Sequence, residues 1–330
     1  MHVLGHGSWV HPTLRAARRG RHLLAHTRVV HVVVLLSTYN GERWLPAQLD
    51  SLLAQTHEDL CVVVRDDGSV DGTRRVLADY AGRDRRVQWT AGPNLGPAAS
   101  FLALLANVPA EAEAVAFCDQ DDVWEPDHLE RALAALAAAA SEPALWCSDV
   151  LVCDEQLRAL RRHDAVRRRP SFENALVENV ATGCTIVLNR MAVDLLASAQ
   201  PRSPVMHDAW CYLVVSAFGR ILYDPRPSVR YRQHGRNTVG LSGGRGATQV
   251  ARVHRAWSGP HVGAWSRQAA DLRREYAGRL PAQVDRELEA FLGGRGRGAA
   301  RLRYAVTGRA HRQSKGGTLA LRLLYLLGRL

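Results

Sequence analysis

The strongest constraint on the fold is an alternation between short β-branched runs and segments with helical spacing. The run "VVHVVVLLS" at 29–37 is too rich in valine for a helix surface and predicts a buried strand. The segment "GERWLPAQLDSLLAQT" that follows at 41–56 places apolar residues at helical spacing. Because strands alternate with helices, the sequence predicts an α/β fold with a doubly wound, mainly parallel sheet and flanking helices.

The alternation continues to about residue 150 and then weakens. Further strands are predicted at 60–65, 86–90, 114–118 and 144–150, with helices between them. Beyond that point the predicted elements are a loop at 161–170, a strand at 183–190, a helix at 206–219 and two short strands, "RILYD" and "SVRYRQ". Residues 241–330 show no strand signal. The predicted domains are therefore a basic leader at 1–28, an α/β domain at 29–240 and a helical, arginine-rich extension at 241–330.

The positive charge of the chain is confined to this extension. Residues 1–240 hold 26 basic and 27 acidic side chains, whereas residues 241–330 hold 17 basic and 5 acidic ones. Such a local field indicates a polyanionic partner, which could be membrane lipid, nucleic acid or a phosphorylated substrate.

The cysteines and the apolar segments indicate the cellular location of the protein. Six cysteines without a CxxC pair predict reduced thiols in a cytosolic protein, and we find no signal peptide or 18-residue apolar span. The end segment "TLALRLLYLLGRL" at 318–330 is too short to cross a bilayer. It predicts a helix lying in a membrane interface, hence a peripheral position at the inner face of the cell membrane. The alternative is a helix packed on the domain or on a dimer partner.

An acidic cluster follows the apolar run at 114–117. In "FCDQDDVWEP", Asp119, Asp121 and Asp122 crowd the end of a predicted strand, where their mutual repulsion is unfavourable without a cation. Hard carboxylate oxygens suit Mg²⁺ or Mn²⁺, which also bind substrate phosphates. The alternative is that Asp122 or Asp127 caps the following helix.

Polar residues also follow the first two strands. The loop "STYNGE" at 37–42 and the pair Asp66–Asp67 end strands of the predicted sheet, so one cleft could collect them. A paired aspartate there can accept a base N–H or a ribose hydroxyl; the alternative is an Asx turn with capping by Ser69 or Asp71.

Two later residues have ordinary structural interpretations. Asp208 in "HDAW" fits the cap of its own helix. His234 in "YRQHG" lies in a predicted short strand, where a histidine often forms only a hydrogen bond.

The order of these stretches resembles the family 2 (GT-A fold) inverting glycosyltransferases. The succession is "VVVLLSTYNGERWLPAQLDSLLAQT", "VVVRDDGSVDGT", "GPNLGPAASF" and "FCDQDDVWEPDHLE". Later segments, among them "ENVATGCTIVLNR", "HDAWCYLVVSAFG" and "VRYRQHGRNTVG", are similar to a bacterial rhamnosyltransferase-type subgroup. The resemblance covers about residues 29–240. One position departs from the subgroup, because Ala209 stands where an aromatic residue is usual.

The resemblance implies a role for each matching position. Asp208 would be the catalytic base, and Asp119, Asp121 and His234 would hold the metal, with Asp121 in direct contact. The nucleotide-sugar pocket would contain Thr38, Tyr39, Glu42, Asp66, Asp67, Asn94, Gly96, Asp119 and Gln120.

The implied reaction is a metal-dependent, inverting sugar transfer. The donor would be a nucleoside diphosphate sugar, dTDP-L-rhamnose for this subgroup or alternatively a UDP-sugar. The acceptor would be a hydroxyl of a glycan such as a surface polysaccharide, of a lipid-linked molecule or of a small molecule. Two other classes are weighed: a basic nucleic-acid-binding protein, which lacks the expected aromatic interleaving, and a nucleotidyltransferase, which lacks a glycine-rich phosphate loop. Nucleic acid is not an expected partner, and a homodimer is one open oligomeric state.

Overall fold

The structure is a computed structural model that describes residues 31–164, 166–235, 263–293 and 298–329. The leader predicted at 1–28 and the first part of the extension, residues 241–262, lie outside the described residues.

The first half of the domain is a parallel sheet with a helix between successive strands. Its strands are β1 (Val32–Thr38), β2 (Leu60–Asp66), β3 (Val87–Ala91) and β4 (Ala114–Asp119), in the spatial order β3-β2-β1-β4. Helices α1 (Leu45–Leu53), α2 (Thr73–Arg83) and α3 (Pro97–Leu105) connect them. The β-branched runs form central strands because apolar side chains cover both faces; Val32, Val33 and Val34 are fully buried.

The second half extends this sheet and makes it mixed. Its strands are β5 (Val123–Trp124), β6 (Ala144–Cys153), β7 (Ala159–Arg162), β8 (Val187–Asn189) and β9 (Arg220–Arg232). The order continues β4-β8-β6-β9-β5, with β7 on β6; β8 is antiparallel to both neighbours, and β9 is parallel to β6. Its helices are α4 (His128–Ala137), α5 (Phe172–Ala175), α6 (Arg190–Ala197) and α7 (His207–Phe218). The predicted fold class is confirmed.

Three sequence predictions of local structure need correction. The strand predicted at 183–190 is only β8, because residues Gly183–Thr185 form a 3-10 turn before it. The two short strands predicted after residue 219 form one strand, β9, whose register shifts around the two prolines of "DPRPS", which have no N–H to donate. The loop predicted at 161–170 includes the end of β7.

The described part of the extension is helical and shares the core of the domain. It contains α8 (Ala264–Glu275), α9 (Ala282–Gly293), α10 (Ala299–Thr307) and α11 (Lys315–Leu326). Leu272, Phe291 and Tyr325 belong to one apolar cluster with Trp210 and Leu213 of α7. Across the described ranges, we find no helix with the length and apolar character needed to cross a bilayer.

Candidate active site

The register of the parallel strands brings the predicted site residues together. Thr38 of β1 pairs with Asp66 of β2, and Ser37 of β1 pairs with Asp119 of β4. The loops that follow these strands therefore open at the same edge of the sheet, where α/β proteins bind their ligands.

Gln120 connects the acidic cluster to the loop after β1. Its Oε1 atom accepts hydrogen bonds from Thr38 Oγ1 (2.5 Å) and from the Tyr39 backbone N–H (2.9 Å), while its Nε2 donates to the Tyr39 carbonyl (3.1 Å). A Cβ atom at Gly41 would lie 2.2 Å from Gln120 Oε1, so a side chain at this position would displace the Gln120 amide from its present contacts. Gln120 thus positions this loop, in which the Tyr39 side chain is 46% exposed.

The buried Asp66 carboxylate forms an ion pair with the Arg74 guanidinium. The carboxylate accepts the Ser69 backbone N–H (3.2 Å) and Arg74 Nε (2.6 Å). Because the Arg74 side chain is 48% exposed, it is the group that covers Asp66 on the side of solvent.

Asp67 shapes the neighbouring loop instead. It forms an ion pair with Arg65, and its two oxygens accept the backbone N–H groups of Leu95 (2.9 Å) and Gly96 (2.8 Å). Gly96 has φ of 78°, a conformation that favours glycine. Asp67 therefore positions the loop that carries Asn94 and Gly96.

Residues Glu42 and Asp71 tie the first loop to the start of α2. Glu42 accepts the Gly72 backbone N–H and an Arg75 guanidinium N–H, both at 3.0 Å. Asp71 accepts the backbone N–H groups of Thr73 (3.0 Å) and Glu42 (3.2 Å). The Asx turn weighed for Asp71 thus describes its contact with Thr73, whereas the N-cap residue of α2 is Gly72.

Within the acidic cluster, Asp122 is buried and Asp119 and Asp121 are partly exposed. Asp122 Oδ1 accepts the Arg232 backbone N–H (2.9 Å), whereas its Oδ2 has no hydrogen-bond partner among the described residues. Asp127 lies at the N-cap of α4 without a side-chain capping bond. Neither side chain therefore forms a capping hydrogen bond to the helix, which was the alternative to a metal site.

The electrostatics of the cluster favour a cation. Burial, and then the charges of Asp121 and Asp208, raise the pKa of Asp119 to about 7. Burial, and then the charges of Asp121 and Asp119, raise the pKa of Asp122 well above its usual range. A divalent ion would relieve this repulsion, so the residues present fit Mg²⁺ or Mn²⁺.

His234 contacts the acidic cluster through a hydrogen bond, which is the alternative to its predicted metal role and also leaves it next to the candidate ligands. Its Nε2 lies 2.7 Å from Asp121 Oδ2, and its ring stacks on Trp44 with 5.4 Å between centroids. The Arg232 guanidinium lies 4.5 Å from the same Trp44 ring. Sequence reasoning missed Trp44, although an aromatic residue in the loop after β1 was a signal that could have identified it.

Cys184 is a second residue that sequence reasoning missed. Its sulfur and one oxygen from each of Asp119 and Asp122 lie within 4.8 Å of one another. Burial raises the pKa of the Cys184 thiol well above its usual range, so it is protonated. Because a thiol is a soft ligand, the carboxylates and His234 are the better set for Mg²⁺ or Mn²⁺.

Asp208 lies in the first turn of α7, close to Asp119. Its Oδ1 accepts the Ala209 backbone N–H at 2.7 Å, and the N-cap residue of the helix is Met206. Burial raises the pKa of Asp208 to about 6, against hydrogen bonds from Ala209, Asn179 and Gly183 that lower it. A partly exposed carboxylate with this pKa can accept a proton near neutral pH.

Comparison with known proteins identifies part of the chain. Residues 33–192 match the family described as Glycosyl transferase family 2. An uncharacterized glycosyltransferase of Nostoc sp. is 27% identical over 213 residues, which are 62% of this chain and 66% of that protein. The dTDP-rhamnosyl transferase RfbG of Shigella flexneri is 24% identical over 63% of this chain and 74% of that protein.

A solved structure supports the fold. The structure of S. aureus TarS 1-349 in complex with UDP-GlcNAc is 16% identical, covers 84% of this chain and 76% of its own chain, and superimposes with a TM-score of 0.54. At this identity the likeness shows the fold alone, which is of the predicted GT-A type.

Proposed function

We propose that the chain is a glycosyltransferase, whose residues 33–192 match the family 2 description, and that it transfers a sugar with inversion from a nucleoside diphosphate donor to an acceptor hydroxyl. The observation that carries this proposal is the position of Asp208. It lies close enough to Asp119 for its charge to raise the pKa of that group, so a proton acceptor and a candidate metal site share one cleft.

The chemical step needs a single base. The acceptor hydroxyl gives its proton to the Asp208 carboxylate while its oxygen forms a bond to the anomeric carbon of the donor sugar. The bond from that carbon to the diphosphate breaks, and the nucleoside diphosphate leaves on the opposite face. One displacement inverts the anomeric centre, so no second carboxylate is required as a nucleophile.

The acidic cluster would serve the leaving group. A divalent cation held by Asp119, Asp121 and His234 would neutralise the charge of the departing diphosphate. Arg232 supports this part of the site, because its Nε donates to the Asp121 carbonyl (2.8 Å) and its Nη1 donates to the Glu155 carbonyl (2.5 Å). It therefore places the Asp121 loop and adds a buried positive charge beside it.

The contacts of Asp66, at the end of β2, support a donor whose base is thymine or uracil. When Arg74 moves aside, Asp66 offers an acceptor for the imide N–H of such a base, and the guanidinium offers donors for the adjacent carbonyl. Exposed Tyr39 offers a ring on which the base can stack. The donor we propose is dTDP-L-rhamnose, which agrees with the name of the Shigella relative; a UDP-sugar is the alternative.

A panel of nucleotide sugars tests the donor. With Mn²⁺ present, we expect dTDP-L-rhamnose to give the greatest thermal stabilisation and hydrolysis, and GDP-mannose the least. We expect Asp66→Asn to weaken thymidine diphosphate binding at least about tenfold, because a charged hydrogen bond to the base is lost. The matched control is Asp79→Asn, which changes an exposed carboxylate on α2. A preference for GDP-mannose, or an unchanged affinity in Asp66→Asn, would contradict the assignment.

The pH profile of transfer tests the base. The pKa of Asp208 is raised to about 6, and only the deprotonated form can accept a proton. Activity is therefore expected to be present above pH 6 and to fall about tenfold per pH unit below it. Initial rates at saturating donor and Mn²⁺, with donor affinity measured at each pH, check this result. A rate that stays flat down to pH 5 with intact donor binding would rule out Asp208.

The proposed location is the cytoplasm, peripheral at the inner face of the cell membrane. The proposed acceptors are glycans, lipid-linked molecules and small molecules that carry a free hydroxyl. A nucleic-acid-binding function finds no support in the described part of the extension, where exposed leucines rather than exposed aromatic residues accompany Lys315 and Arg322 of α11.

A further inference from the structure

Helix α11 is apolar on two opposite faces. Its inner face, with Leu321, Leu324 and Tyr325, is buried in the core of the chain. Its outer face carries four exposed leucines, which we call the outer leucine stripe: Leu319, Leu323, Leu326 and Leu327, exposed by 63%, 51%, 38% and 53%. Because these positions follow an i, i+4, i+7, i+8 spacing, they form one continuous apolar band along the helix.

The charged residues next to this stripe in the sequence are basic. Residues 298–329 contain seven basic side chains and no acidic one. Lys315 lies four residues before Leu319 and Arg322 lies three residues after it, so both flank the stripe on the helix surface, and both are exposed. An exposed apolar band with cations beside it has the character of a helix that lies in a membrane interface.

We propose that the outer leucine stripe docks on an anionic membrane surface. The leucines would enter the boundary between head groups and acyl chains, and Lys315 and Arg322 would contact lipid phosphates. Single-stranded nucleic acid fits this face less well, because stacking on bases needs aromatic side chains and the stripe is aliphatic. A second copy of the chain fits less well too, because the cationic flanks of two identical faces would repel each other.

The stripe is joined firmly to the helix that carries Asp208. Between α10 and α11, Gln313 Nε2 donates to Asn174 Oδ1 at 3.2 Å, and the same oxygen accepts the Tyr212 hydroxyl at 3.0 Å. Tyr212 lies one turn after Asp208 on α7. Membrane docking would therefore hold the active site at a set orientation to the bilayer. If the proposed transferase activity is correct, that orientation suits a lipid-linked acceptor.

Vesicle binding by the full chain tests the proposal. We expect co-sedimentation with vesicles of equal parts phosphatidylcholine and phosphatidylglycerol to exceed that with phosphatidylcholine alone by at least about tenfold. The double variant Leu319→Glu/Leu323→Glu should lower binding to the anionic vesicles at least about tenfold. The matched control is Leu160→Glu/Met191→Glu, which places the same charges at leucine and methionine side chains exposed by 59% and 42% elsewhere. It should bind like the unchanged protein.

Several results of the vesicle experiment would overturn the membrane-docking proposal. Equal binding to neutral and anionic vesicles, no binding to either, or unchanged binding in the stripe variant would overturn it. So would a concentration-dependent dimer in sedimentation velocity that the stripe variant abolishes without any vesicle binding. If the stripe variant does not fold, as judged by circular dichroism, Arg322→Glu takes its place and must weaken binding. Donor hydrolysis measured without vesicles keeps this test separate from that of the transferase activity.

Discussion

Replacing Asp208 with asparagine is expected to lower the turnover of sugar transfer about a thousandfold. Asparagine has nearly the same shape, so its side-chain oxygen can still accept the Ala209 N–H that Asp208 now accepts at 2.7 Å. It cannot take up a proton at neutral pH, so the acceptor hydroxyl loses its base. The dissociation constant for the nucleoside diphosphate is expected to stay within about twofold of that of the unchanged protein. The substitution removes an interaction that forms only in the transition state. Initial-rate kinetics and titration with nucleoside diphosphate measure the two quantities separately.

Two comparisons make this result specific to Asp208. Asp79→Asn alters an exposed carboxylate of α2 and should leave turnover unchanged. Asp208→Glu retains a base but moves it, so it should recover part of the activity that asparagine loses. If Asp208→Asn transfers sugar at more than about a tenth of the normal rate, the base is another group. Asp119, whose pKa is raised to about 7 in the same cleft, would then be the first to examine.

Asp121→Asn is expected to abolish metal-dependent transfer, with a loss of about a thousandfold or more at moderate Mn²⁺ concentration. The Asp121 carboxylate is a hard ligand whose Oδ2 lies 2.7 Å from His234 Nε2, and an amide oxygen is a weaker ligand for Mn²⁺. Chelation of divalent ions should reduce the unchanged protein to a similar level. Mn²⁺ titration by calorimetry should show affinity lowered at least about tenfold in the variant.

Cys184→Ser separates the two candidate ligand sets at this site. The Cys184 thiol is buried and protonated, and it belongs to the group formed with Asp119 and Asp122. If Asp119, Asp121 and His234 hold the ion, the serine variant should keep Mn²⁺ affinity within about threefold. Loss of affinity in Cys184→Ser together with normal affinity in Asp121→Asn would move the metal to the buried set.

The sequence predicts the first half of the fold well because local composition decides it. Strands β1 and β4 are buried on both faces and β2 is buried on one face and half-buried on the other, so their apolar runs are recognisable without knowledge of their partners. The second half depends on pairing between distant segments. Strand β9 could not be predicted as one strand, because the prolines after Asp224 indicate a break, and only the partner strand β6 shows that pairing resumes at Val229.

The candidate site shows the same division. The crowded carboxylates at 119–122 and the acidic pair at 66–67 could be identified from their position at strand ends. Contacts made across the fold could not, such as the three hydrogen bonds of Gln120 to the loop after β1 and the stacking of Trp44 on His234. The roles assigned to individual side chains remain predictions that the substitutions above test.

The junction between Asn174 and Gln313 makes the two parts of the chain poor candidates for independent exchange. Asn174 also donates to Glu178 (3.1 Å), and Glu178 in turn accepts the Gln313 backbone N–H at 2.6 Å. A chimera that takes its last ninety residues from a relative would have to inherit partners for both side chains, or would leave polar groups stranded in the interior. Substitutions at Asn174, Glu178 and Gln313 are therefore expected to occur together during evolution, because each change alters the hydrogen bonds of the others.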